Sequence, residues 1–314
     1  MRRGAQGGTV HKKFLVQMIK IGRPHFLAGG FFLFTIGVML AVLAGASFIP
    51  SRFLFGYAVM GTAHLSLSYS NNYFDLAADR QGRPTMFSGG TKLLIRHPEL
   101  RTATRRFALT LIAASLALAV AFALVYRYSP LFVVFVAGGN ALGWYYTAPP
   151  VRLAYRGWGE VATMFTYGFL MPGIGFLTLS PQLGPLFFLF SLPLLLYGLH
   201  FILTVELPDM EGDRRAGKKT FVVRHGRRAG MGMSAGSLAL GTAYFALTPH
   251  VVSLSESIDL GVIALLSLVP LVMTLAVLVT MWRTAVAPHR LSYASMSGLI
   301  AFLLLLNLYL LLSL

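Results

Sequence analysis

Apolar runs of about 20 residues recur along this chain, and each is long enough to cross a bilayer as one helix. They fall at 25–48, 53–70, 105–126, 130–147, 160–180, 184–205, 229–248, 258–282 and 291–312, with 53–70 and 130–147 the shortest. In lipid every backbone polar group must find a partner inside its own segment, so such runs predict helices. The expectation is an all-α integral membrane protein with nine transmembrane helices in a bundle. Composition agrees: 56% of residues are hydrophobic and 11% charged, against about 25% charged in a soluble domain. That much apolar surface excludes a soluble globular domain and a disordered chain. The absence of cysteine excludes a disulfide-stapled domain, a thiolate nucleophile and a cysteine zinc site.

The charge of +16 comes from 26 Lys and Arg against 10 Asp and Glu. Its distribution points to a membrane surface and anionic lipid rather than to nucleic acid. With nine spans, every Lys and Arg except Arg52 and Arg127 falls on one side. Basic residues stay on the cytoplasmic side, so the N-terminus is expected inside the cell and the C-terminus outside. Residues 1–24 read as a cytoplasmic or interfacial segment, with Phe14–Ile21 patterned like a helix lying on the membrane. Residues 25–314 read as a single transmembrane domain. Ala44-Gly45-Ala46 resembles a signal cleavage site, but the run before it exceeds the 7–15 apolar residues of a signal sequence. It is taken as an uncleaved first span.

The few acids are not scattered. Asp75 and Asp79 open the loop after the second span, and Asp209 and Asp213 open the loop after the sixth. Both pairs are Asp-x-x-x-Asp, with the same offset between corresponding members and on the same face. This suggests two four-helix pseudo-repeats plus one helix. Residues four apart share a helix face, so the stripe His64, Ser68, Asn71, Asp75, Asp79 is expected along one helix, and Glu206, Asp209, Asp213 along another. Two carboxylates so placed repel unless a cation joins them. Mg2+ takes oxygen ligands and combines one or two carboxylates with substrate phosphates. Solvated charges at helix ends are the plainer reading of one such pair; two pairs, each followed by cations, favour a site. Arg80, Arg83 and Lys92 follow the first pair, and Arg214, Arg215, Lys218 and Lys219 the second. Acids that hold metal beside cations that hold oxyanions suit a diphosphate. The segment Tyr145–Glu160, on the same face, either brings Arg152 and Arg156 over the site or forms an aromatic belt with snorkelling arginines.

Asn71-Asn72-x-x-Asp75-x-x-x-Asp79, and Asp209-x-x-x-Asp213 followed by Gly217-Lys218-x-Thr220, resemble the signatures of UbiA-type membrane prenyltransferases. Tyr146-Thr147-x-Pro149-Pro150-x-Arg152 and Arg23-Pro24 are similar to the family as well. The resemblance implies nine helices around a central cavity, Mg2+ as cofactor and an isoprenyl diphosphate donor. Phe87-Ser88-Gly89-Gly90 looks closest to the menaquinone branch, which prenylates dihydroxynaphthoate. Other acceptors of the family, namely 4-hydroxybenzoate, homogentisate, a glyceryl phosphate lipid or a porphyrin, stay open.

The expected roles follow. Asp75, Asp79, Asp209 and Asp213 hold Mg2+, and Asn71 and Asn72 orient ligands or water. Arg83, Lys92, Arg152, Arg156 and Lys218 take charge from the departing diphosphate. Tyr73, Phe74 or Tyr146 faces the allylic cation, and His64 or Glu206 removes the proton, unless His64 is simply a buried polar group. Donor, lipophilic or aromatic acceptor and membrane lipid are the expected partners, with the site at the cytoplasmic face of the cell membrane. A transporter is the alternative of another class. Transporter sites usually lie near the bilayer midplane, whereas these acids sit at one face.

Overall fold

A computed structural model describes residues 3–82, 84–250 and 258–314, with side chains from Lys12 onward. Among the described residues all regular structure is helical, without strands. In chain order the helices are α1 (Arg3–Gly22), α2 (Phe26–Leu43), α3 (Pro50–Phe74), α4 (Leu76–Gln81), α5 (Leu93–Arg96), α6 (Arg101–Tyr126), α7 (Leu131–Thr147), α8 (Leu153–Arg156), α9 (Gly159–Phe165), α10 (Met171–Leu179), α11 (Pro185–Glu206), α12 (Met210–Arg215), α13 (Phe221–His225), α14 (Arg227–Leu247), α15 (Leu260–Arg283) and α16 (Pro288–Leu312). One turn of π-helix, Thr166–Leu170, joins α9 to α10.

Every apolar run of the sequence is helical, but six helical segments among the described residues are long and apolar enough to cross a membrane. Three expected spans fall short for physical reasons. α7 has 17 residues. α3 carries His64, Ser66, Ser68, Ser70, Asn71 and Asn72 along its second half. α14 opens on Arg227 and Arg228 and is rich in glycine and serine. Ser66 and Ser70 satisfy their hydroxyls on carbonyls one turn back, at 2.7 and 3.0 Å, which removes the need for water along α3.

Small residues set the packing. On α2, a Cβ at Gly37 would run into the Pro172 carbonyl, and on α10 a Cβ at Gly175 would run into that of Phe34. The two backbones therefore touch, as small residues permit in membranes. α16 closes on α2 through Asn307, which accepts from Thr35 Oγ1 at 2.5 Å and donates to the Phe32 carbonyl at 3.2 Å. Tyr197 of α11 stacks on Phe302 of α16 at 4.6 Å. The main core, including Phe34, Phe176, Phe187, Leu194 and Leu306, lies among α2, α10, α11 and α16. α1 lies outside it, buries Met18 and Ile21 and exposes Leu15 and Ile19. It is tied to α3 by Tyr69, whose hydroxyl donates to the Met18 carbonyl at 3.1 Å.

Candidate active site

The two acidic motifs do not continue their helices as the sequence stripes suggested. α3 stops at Phe74, and Asp75 forms its C-cap and the N-cap of α4. α11 stops at Glu206, Pro208 follows, and Asp209 is the N-cap of α12. Each motif is thus a short helix of 6 residues with one Asp at its start and the second one turn inside. The backbone closes both in the same way: Asp79 N–H donates to the Asp75 carbonyl at 2.9 Å, and Asp213 N–H to that of Asp209 at 2.8 Å. The inner aspartates are equally buried, at 7% exposure each. α4 and α12 pack on each other where Gly212 meets Gly82, and a Cβ on Gly212 would lie 3.0 Å from the Gly82 backbone. The two motifs therefore share their local backbone geometry as well as their spacing.

Lys218 joins the halves. Its ammonium lies 3.0 Å from Asp75 Oδ2 and 3.1 Å from Asp213 Oδ1. A Schellman turn after α12 throws the side chain back: Lys218 N–H donates to the Asp213 carbonyl at 2.9 Å and Gly217 N–H to that of Arg214 at 3.1 Å. Gly217 takes the left-handed φ of +80° that this turn requires. Tyr155 donates its hydroxyl to Asp75 Oδ1 at 2.8 Å. Asp209 Oδ2 accepts from Gly89 N–H at 3.1 Å, while its Oδ1 is buried without a partner. Gly90, at φ +56°, lies against the Asp79 carboxylate so closely that no Cβ fits. Arg23 hydrogen-bonds the Met86 carbonyl at 2.9 Å and faces Asp209 and Asp79.

This crowding alters the charges. Burial, with Asp75 adding repulsion, pushes the Asp79 carboxyl up to about 7. Burial and Asp213 push Asp209 up to about 7. Burial raises Asp213 also, against the pull of Lys218. Burial alone would lower the Lys218 ammonium, but Asp75 and Asp213 hold it well above its ordinary value.

All four aspartates line one cavity of about 370 Å3. It follows α3 from Asp75 down to Met60, roughly 20 Å at the helical rise. Its deeper wall is apolar, with Leu33, Leu67, Leu170 and Ile174 among its lining. The π-turn supplies Thr166 and Tyr167 to that wall, a common use of π-bulges.

A model of the UbiA prenyltransferase family matches residues 31–299. The chain belongs to the UbiA prenyltransferase family. It is an integral membrane protein, by its family and by the six long apolar helices among its described residues, and an intramembrane prenyltransferase. Among curated relatives, 1,4-dihydroxy-2-naphthoate octaprenyltransferase of Bacillus subtilis (strain 168) is 23% identical over 242 residues, 75% of each chain. The UbiA homologue from Archaeoglobus fulgidus, solved with GPP and Mg2+, superposes with a TM-score of 0.66 at 18% identity, covering 95% of this chain and 99% of that one. The homologue from Aeropyrum pernix K1 gives 0.60 at 15% identity, covering 87% and 98%. At these identities the two structures establish a shared fold.

A hard divalent cation fits the mouth of this UbiA-family cavity. The donors are carboxylate oxygens, one of them buried and orphaned on Asp209, and a cation already sits between Asp75 and Asp213. Among the described residues no three acidic or imidazole groups close into a ready cage. Mg2+ needs none, because it keeps water and substrate phosphate oxygens in its shell.

The structure brings Asn71, Asn72, His64, Tyr146, Glu206 and Lys218 to the cavity with the aspartates. Asn72 is fully engaged by protein: it donates to the Ser68 and Ile21 carbonyls at 2.8 and 3.3 Å and accepts from Thr91 at 2.9 Å. Asn71 accepts from Thr147 at 3.0 Å. Tyr73 and Phe74 do not line the cavity. Tyr73 lies under Arg101 and Arg105, and Phe74 packs edge-on against Trp144. Tyr73 lies on the face of α3 opposite Asn71, whereas Phe74 follows the cavity-lining Leu67 by two turns and is held off by its packing on Trp144. Of the expected cations, Lys92 caps α5 away from the cavity. Arg156 is exposed and donates to the Pro150 carbonyl at 2.9 Å. Arg152 stacks on Tyr155 at 3.8 Å, one residue removed from Asp75. Arg83 lies outside the described residues. Arg23 and Tyr155 were not singled out as site residues in the sequence. The available signal for Arg23 was the family-like Arg23-Pro24 pair directly before the first apolar run; Tyr155 gave none beyond lying in the loop between the fourth and fifth spans.

Proposed function

We propose that this chain transfers an isoprenyl group from an isoprenyl diphosphate to an aromatic, membrane-associated acceptor, with Mg2+ as cofactor. The observation that carries the reading is the meeting of Asp75, Asp79, Asp209 and Asp213 at the mouth of one cavity with an apolar depth. The solved Archaeoglobus fulgidus homologues with DMAPP or GPP and Mg2+ support the donor class and the metal. Mg2+ bound here supplies charge stabilisation for the leaving diphosphate.

The four aspartates hold the cation, and Arg23 and Lys218 meet the remaining diphosphate charge. The donor tail lies along Leu33, Met60, Leu67 and Ile174, out of water. As the C1–O bond breaks, an aromatic acceptor carbon bonds to C1 and gives up its proton. Tyr146 presents its ring to the developing cation. Glu206, one turn below Asp209, lines the cavity with a buried, unpartnered carboxylate oxygen and receives the proton. His64 is 11 residues before Asp75, roughly 16 Å along the helix, too deep for that step; it contacts the tail.

The Bacillus subtilis relative favours a dihydroxynaphthoate-like acceptor. We further propose nine spans, a cytoplasmic N-terminus and a site at the cytoplasmic face, because this arrangement leaves only Arg52 and Arg127 outside. The test is a transfer assay with purified protein, labelled geranylgeranyl diphosphate, Mg2+ and a panel of hydroxylated aromatic acceptors and glyceryl phosphate lipid. Product with dihydroxynaphthoate supports the reading; product only with glyceryl phosphate lipid reassigns the acceptor, and no product with folded protein contradicts the reading.

A further inference from the structure

Lys218 occupies a position that a metal shared by the two motifs would claim. Its ammonium contacts one aspartate from each, at 3.0 and 3.1 Å. All three side chains are nearly out of water, at 10–13% exposure. The backbone fixes this placement, since the Schellman turn at Gly217 aims Lys218 back at α12. The ring of Tyr155 lies 5.5 Å from the ammonium, and its hydroxyl holds the other oxygen of Asp75. Two buried carboxylates without a cation would repel strongly at low dielectric. The free enzyme therefore needs a positive charge here before any substrate arrives.

We infer that Lys218 is the resident counter-cation of the free site. It holds the motifs together and blocks divalent metal from Asp75 and Asp213 until a diphosphate offers the ammonium another partner. This rests on the reading that the aspartates bind metal. A metal ion arriving alone must displace a buried ammonium that has nowhere to go. A metal arriving with diphosphate brings oxyanions that accept the displaced Lys218. Metal and diphosphate then bind with strong mutual dependence, and the site does not fill with metal alone. Lys218 is a positioning residue in the free enzyme and a diphosphate ligand in the loaded one. No bond is made or broken in the exchange.

The test is Mn2+ binding, followed by electron paramagnetic resonance, to the full-length protein in detergent, with and without inorganic pyrophosphate. Wild type is expected to bind Mn2+ alone weakly and at least tenfold tighter with pyrophosphate. Lys218→Met is expected to bind Mn2+ alone at least tenfold tighter than wild type and to lose most of the pyrophosphate effect. Lys218→Arg, which keeps the cation, is expected to behave like wild type. A lysine that only braced the fold would give the opposite sign, since its loss would weaken metal binding. Equal or weaker Mn2+ binding by Lys218→Met overturns the inference while leaving the metal reading intact. Should Lys218→Met not fold, wild type alone decides: equal Mn2+ affinity with and without pyrophosphate overturns the inference. No Mn2+ binding by wild type even with pyrophosphate overturns the metal reading itself.

Discussion

At the scale of single residues, burial holds two of the site's carboxylates, Asp79 and Asp209, at the edge of ionisation. Asp79 and Asp209 sit near 7 rather than in the usual carboxylate range, because burial penalises their charged forms. The folded protein therefore binds protons that the unfolded chain releases between about 4 and about 7. This contribution to stability is present below about 4 and is lost as pH rises through 7. Without metal, the thermal unfolding temperature of wild type is expected to fall more from pH 5 to pH 8 than that of Asp79→Asn. An equal or shallower slope in wild type would contradict the burial argument. Glycines give a second residue-scale test. Gly90→Ala places a Cβ against Asp79 at φ +56° and is expected to lower turnover at least tenfold. Gly45→Ala, at φ +97° with nothing nearby, is expected to cost about 1–2 kcal/mol of stability and leave turnover unchanged. Equal turnover in the two variants would refute the distinction. The aspartates were legible in the sequence because acids are rare in an apolar chain. Arg23 and Tyr155 were given no role, because neither lies beside an acidic motif in the sequence as Lys218 does.

At the scale of elements, the two short helices matter more than the long ones. Spacing predicted each aspartate pair on one face of a continued α3 or α11; instead the first aspartate caps a new short helix, α4 or α12, and the second lies one turn inside it. Pro208 hints at the second break; nothing comparable marks the break at Asp75, which separates Phe74 from Leu76 without proline or glycine. Hydrophobic periodicity reports which residues avoid water and carries little information where a helix leaves the apolar layer. The contact between α4 and α12 depends on Gly212. Gly212→Val is expected to push the motifs apart and lower kcat/KM for the donor at least tenfold, with the loss mainly in KM. Gly232→Val, on the exposed side of α14 with open space around it, is expected to leave both constants within about twofold. Normal donor KM in Gly212→Val would show that the two helices need not touch.

At the scale of the whole molecule, the helical bundle was readable from the apolar runs alone, and each run is a helix. Which helices cross the membrane is harder to read, because α3 and α14 exchange apolar residues for polar or small ones where they face the cavity or pack closely. The proposed topology is open to chemical labelling, since the chain has no cysteine. With nine spans, Gln182→Cys reacts with a membrane-impermeant maleimide in intact cells, and Arg96→Cys reacts only after permeabilisation. The reverse pattern would invert the molecule; labelling of both in intact cells would change the number of spans.

The central claim is that two motifs far apart in the chain act as one unit on one diphosphate. Its most direct test is prenyl transfer from labelled geranylgeranyl diphosphate by Asp75→Asn, Asp209→Asn and the double variant. Groups that act together lose their effect together. Each single variant is expected to lose at least a hundredfold in turnover, with the double variant no slower than the worse single. Losses that multiply in the double variant, or wild-type turnover in either single, would contradict the account.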